Sequence, residues 1–150
     1  MIYQYSLNES TTRNRPPAGE KKVPYRSHQA STDIVRSFLA AMQARDLGTA
    51  KTFLAPDFTI IFPGNARFST LEQLVEWGKS RYMSVGKNYN AFDECSTNSS
   101  RTVVYCYGTL YGQWLDGTSF DNIRFIDRFT IERNKLLDQQ VWNDLAEISR

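Results

Sequence analysis

From Tyr89 to the C-terminus the chain offers four strand candidates in succession, residues 89–97, 102–114, 119–132 and 136–144, with no helix between them. Turn-forming residues join them: Asn98-Ser99-Ser100, Asp116-Gly117 and Arg133-Asn134. Parallel pairing of neighbours would need a crossover of about a dozen residues or more, so these strands must pair as antiparallel hairpins. Gly108 and Gly112, inside the second long strand, predict bulges or bends.

The N-terminal half supplies what covers this sheet. Ile34, Val35, Phe38, Leu39 and Met42 make one apolar helical stripe. After a break at Gly48, a short helix is expected over residues 49–54, ended by Pro56. Phe58, Ile60 and Phe62 alternate as a strand should, and Pro63-Gly64-Asn65 turns the chain. Ser69-Thr70-Leu71-Glu72 reads as a capping box for a helix carrying Leu71, Leu74, Val75, Gly78 and Tyr82 on one face. Helix, helix, strand, helix, then four long strands is an α+β order, with about three N-terminal helices on one face of a curved antiparallel sheet. Such a sheet leaves a funnel whose mouth can hold a ligand.

Residues 1–30 differ from the rest. They hold Pro16-Pro17, Gly19 and Pro24, little aliphatic character after Leu7, and five basic against two acidic side chains. An extended or flexible arm is expected there, with residues 31–150 as the folded domain. Ile2 to Leu7 could add as a strand to a sheet edge or a partner. Net charge is +2, made of +3 in the arm and −1 in the domain, so the domain has no basic footprint for nucleic acid. No apolar stretch approaches bilayer length and no secretory signal is evident, so no membrane contact and a cytoplasmic location are expected. The same compartment rule makes Cys95 and Cys106 reduced thiols, although a cross-strand bridge is geometrically open. The sole histidine, His28, lies in the arm. Imidazole-based triads and His or Cys zinc sites are therefore unsupported in the domain, and no metal or cofactor is expected.

Asp127 is the residue that points to chemistry. Along residues 123–131 the odd positions are Ile123, Phe125, Asp127, Phe129 and Ile131; the even face carries Arg124, Arg128 and Thr130. A carboxylate on the core side costs several kcal/mol unless paired, hydrogen-bonded or protonated. It is either a structural Asp satisfied by a hydroxyl or Arg, or a pocket residue with a raised pKa. Tyr107 stands opposite Asp127 if the Asp116-Gly117 hairpin has a three-residue loop; a two-residue loop brings Cys106 there instead. Asp144 and Trp142 share the even face of the last strand, where each has a pocket reading and a surface or packing reading.

In its order of elements the chain resembles the nuclear transport factor 2-like superfamily, the cone-shaped (cystatin-like α+β roll) fold of ketosteroid isomerase and the SnoaL-like polyketide cyclases. The phrases that carry the resemblance are Phe38-Leu39 through Asp46-Leu47, Leu54-Ala55-Pro56-Asp57-Phe58, Ile126-Asp127-Arg128-Phe129 with the turn at Asn134-Lys135-Leu136, and Val141-Trp142-Asn143-Asp144. The resemblance covers about residues 31–148. It implies an acid–base carboxyl at Asp127, comparable to the neutral Asp in the isomerase's oxyanion hole. Trp142 and Asp144 match the Trp-x-Asp of limonene epoxide hydrolases. That enzyme's Arg-x-Asp is replaced here by Tyr107-Gly108-Thr109, which argues against epoxide hydrolysis.

The expectation is a small-molecule enzyme of isomerase, cyclase or dehydratase type. Asp127, Asp144 and Tyr107 would be catalytic, and Trp142, Phe125, Phe62, Tyr82 and Trp77 would contact a hydrophobic substrate. The alternative is a non-catalytic ligand-binding or dimerisation module of the same fold. The resemblance also implies a homodimer through the outer face of the sheet, where Tyr- and Trp-rich strands could supply a patch.

Overall fold

A computed structural model describes residues 30–97 and 100–148. The expected arm, its strand over residues 2–7 and the start of the Asn98 turn lie outside the described residues. Two helices open the domain, α1 (Ser31–Gln43) and α2 (Leu47–Lys51). Strand β1 (Leu54–Phe62) and the short β2 (Ala66–Phe68) follow, then α3 (Leu71–Lys79). The remainder is β3 (Tyr82–Ser96), β4 (Arg101–Trp114), β5 (Ser119–Glu132), β6 (Lys135–Asn143) and a last turn of helix, α4 (Leu145–Ile148).

The strands form one six-stranded open sheet in the order β2-β1-β6-β5-β4-β3. The three hairpins from β3 to β6 are antiparallel, as expected from their short connections. The parallel pairing of β1 with β6 closes the order and has no local signal in either strand.

Helix α1 lies against the concave face because its stripe has nowhere else to go. Ile34, Val35, Phe38, Leu39 and Ala41 are buried, and the Phe38 ring meets Phe58 and Phe129 edge-on at 6.1 Å each. The Asp46 carboxylate caps α2 by accepting from Thr49 N at 3.0 Å and Thr49 Oγ1 at 2.6 Å, so that helix starts two residues earlier than Gly48 suggested. Pro56 does not end a helix; it sits inside β1. The box that opens α3 is shifted by one residue: Thr70 Oγ1 accepts from Gln73 N, and the Gln73 amide oxygen accepts from Ser69 N.

Helix α3 stops at Lys79, and Tyr82 begins a strand instead of ending a helix. This moves residues 82–88 into the sheet. Both strand glycines mark irregular pairing, as predicted. A methyl group on Gly108 would run into Asn88 O, and one on Gly112 into Ser84 O.

Candidate functional site

All five inward residues of β5 (Ile123, Phe125, Asp127, Phe129 and Ile131) are buried, and Asp127 is fully so at 0% exposure. Its Oδ2 accepts from the Lys87 ammonium, which reaches over from β3, and from Gln139 Nε2 on β6 at 3.2 Å. Oδ1 is buried and accepts no hydrogen bond from the described residues. The Lys87 Nζ lies 4.5 Å from the centre of the Phe125 ring, a favourable cation–aromatic placement. Its side chain remains 22% exposed. A hydroxyl or an Arg was the expected structural partner; the partners are instead a lysine ammonium and a glutamine amide. The carboxylate has an ammonium and an amide on one oxygen, which offsets the cost of burying its charge.

A cavity of about 160 Å³ opens between α1, α3 and the sheet. Phe38, Phe62, Leu74 and Phe125 give it apolar walls, while Lys87, Gln139 and Asn143 are among its polar groups on the sheet side. Asp127 itself does not line it; both of its donors do. Tyr89 also lines the cavity, and burial raises its phenol pKa, with Cys106 and Asp127 adding to the effect. Burial likewise raises the Tyr82 phenol, and it pushes the Cys106 thiol up to about 12. These groups stay neutral near pH 7. Cys106 is therefore a packed thiol rather than a nucleophile.

Of the residues expected to meet a substrate, Phe125, Phe62 and Tyr82 line the cavity. Trp77 does not. On α3 the residues turned to the cavity are Leu74, Val75 and Gly78, and Trp77 packs to one side against Phe62 and Phe68 at 5.2 and 5.3 Å.

Tyr107 does not stand beside Asp127. The hairpin loop has three residues with Gly117 at φ +85°, the condition under which Tyr107 was to face Asp127. Further along, however, two residues of β5, Asp121 and Asn122, oppose the single Tyr111. Asn122 takes up the extra length at φ 55°. The bulge sets Cys106 opposite Asp127 and turns Tyr107 to the outer face, which Tyr111, Ile126 and Trp142 share and where all four are exposed.

A second bulge, between Leu136 and Asp138, reverses the inward parity of β6. Gln139, Val141 and Asn143 therefore line the cavity in place of Gln140 and Trp142. Asp144 is the surface carboxylate of its two readings: its Oδ2 accepts from Arg124 Nε at 2.6 Å, and the Arg124 side chain is 84% exposed. Asp127, Asp144 and Tyr107 thus do not form one cluster. Lys87, Gln139 and Asn143 were missed. The available signal for Lys87 was its place between Val85 and Tyr89 in alternation, a second charge on an apolar face.

Cys95 pairs with Val103 and Cys106 with Phe92, so the cysteines are not cross-strand neighbours, and both are free thiols. Among the described residues no helix is long and apolar enough to cross a membrane.

The fold is that of the nuclear transport factor 2-like proteins. A nuclear transport factor 2-like protein of unknown function from Burkholderia pseudomallei superposes with a TM-score of 0.63 at 19% identity, over 79% of this chain and 93% of that one. TerC, crystallised with polyporic acid, gives 0.65 at 16% identity, over 78% and 93%. A proposed SnoaL-like polyketide cyclase from Jannaschia gives 0.61 at 17% identity, over 87% and 94%. No family model matches the chain, and no curated protein matches it by sequence.

Proposed function

We propose that this is a small-molecule pocket protein and an isomerase- or cyclase-type enzyme, working by acid–base chemistry on a hydrophobic substrate. The observation that carries the reading is the Lys87–Asp127 pair beneath a cavity with apolar walls and a few polar groups. An ammonium has three donors, and Asp127 takes one. The others are free to meet a substrate carbonyl oxygen, where they would stabilise the negative charge that develops on enolisation. Asp127 and Gln139 fix that donor in place. The buried, unpartnered Oδ1 is the proton acceptor of this scheme, and the transfer runs through an intervening group because Asp127 does not line the cavity. Proximity of SnoaL-like cyclases in fold, and of a relative holding an organic acid, supports the substrate class.

The test is exchange of α-protons in 3-cyclohexenone, followed by proton NMR in D₂O. The protein should accelerate exchange over buffer, and Asp127→Asn and Lys87→Gln should each abolish the gain. Equal rates in all four samples would remove catalysis.

A second reading, a non-catalytic binding module, draws on the cavity size: about 160 Å³ is below the roughly 300 Å³ of ordinary ligand pockets. With either reading we propose a homodimer through the outer sheet face. Tyr107, Tyr111, Ile126 and Trp142 are all more than a third exposed there, Trp142 at 48%. Light scattering after size exclusion should give twice the 17.3 kDa chain mass, and a single chain mass would refute it.

A further inference from the structure

The charged groups around the cavity have one sign. Lys87 at the sheet and Arg45 beyond the end of α1 both line it, and among the described residues no carboxylate does. Asp127 balances Lys87 from outside the lining, which leaves the charge of Arg45 uncompensated within it. The neutral polar groups are the amides of Gln43, Gln139 and Asn143 and the phenols of Tyr82 and Tyr89. The raised phenols remain protonated and can donate. A ligand oxygen entering at the Lys87 end therefore meets donors and positive charge, and a ligand cation meets no carboxylate there.

Size narrows the choice further. A cavity of about 160 Å³ is close to the roughly 150 Å³ apolar cavity that holds one benzene. Fused four-ring compounds do not fit that volume.

We propose that the occupant is a small apolar anion of about one ring, an organic carboxylate or acidic enol, with its charged oxygen on Lys87 Nζ. This rests on the reading that the cavity holds a small molecule, and it specifies which. It also agrees with the chemistry of that reading, since an enolate is such an anion formed in place.

The experiment titrates the intact chain with benzoate and with benzamide, its uncharged counterpart of equal size, by isothermal calorimetry. A charge-assisted hydrogen bond should make benzoate bind at least about tenfold tighter. The double variant Lys87→Met/Asp127→Leu removes the charges as a pair and avoids stranding either one. In it, most of the benzoate preference over benzamide should be lost, the remainder being Arg45's share, while thermal unfolding stays cooperative. Arg45→Gln should weaken benzoate by a smaller factor. Benzamide binding as tightly as benzoate would overturn the anion while leaving the cavity reading intact. Benzoate binding unchanged in the double variant would overturn the assignment to Lys87. Failure of both probes to bind at millimolar concentration would overturn the proposal together with the small-molecule reading.

Discussion

Of the ion pairs on strand β5, two lie three residues apart on opposite faces. Arg124 holds Asp144 on the outside, with side chains 84% and 39% exposed. Asp127 holds Lys87 on the inside, at 0% and 22%. Both join β5 to another part of the sheet region, and both have a carboxylate that the sequence offered as catalytic. Their surroundings separate them. Outside, water and salt already solvate each charge, and the contact adds little. Inside, each charge depends on its partner, and removing one leaves the other buried and uncompensated.

Breaking the inner pair tests this contrast with the largest effect. Lys87→Met should destabilise the fold by about 3 to 5 kcal/mol in urea denaturation, because Asp127 would keep its burial and lose its ammonium. A loss below about 1 kcal/mol would mean that the two faces are energetically alike. Gln139→Leu removes the other donor to Oδ2 and should cost about 1.5 to 3 kcal/mol. Asp144→Asn, on the outer face, should change stability by less than about 1 kcal/mol and leave α-proton exchange unchanged. The two thiols give the mildest probe of the same contrast. Cys95 is exposed and Cys106 is buried with its pKa near 12, so Ellman's reagent at pH 8 should label one thiol in the folded protein and two in denaturant. Two fast-reacting thiols in the native state would show the inner face to be open.

The same contrast explains what could be read from the chain alone. Alternation along residues 123–131 put Asp127 inside correctly, since a buried face constrains a strand's parity strongly. Parity then had to be carried to the neighbouring strands, and there one-residue bulges reversed it. The extra residue Asn122 moved Tyr107 outward, and the irregularity at Leu137 exchanged Trp142 for Val141 and Asn143. Asp121-Asn122 was a usable signal, because Asn tolerates positive φ better than most residues. Lys87 was hidden for a different reason. Tyr82 continues the helical spacing of α3, so the early part of β3 read as helix and turn. The pairing of Lys87 with Asp127, separated by 40 residues in sequence, is a tertiary contact with no local pattern. The α+β order was legible because it depends on element type and connection length, neither of which a bulge alters.

The most direct test of the central claim is a double-mutant cycle on Lys87 and Asp127, using Lys87→Met, Asp127→Leu and the two together. Each single change should be strongly destabilising and the double change much less so than their combined effect, with a coupling of about 2 to 3 kcal/mol. Additive effects, with a coupling indistinguishable from zero, would contradict a buried ion pair beneath the cavity.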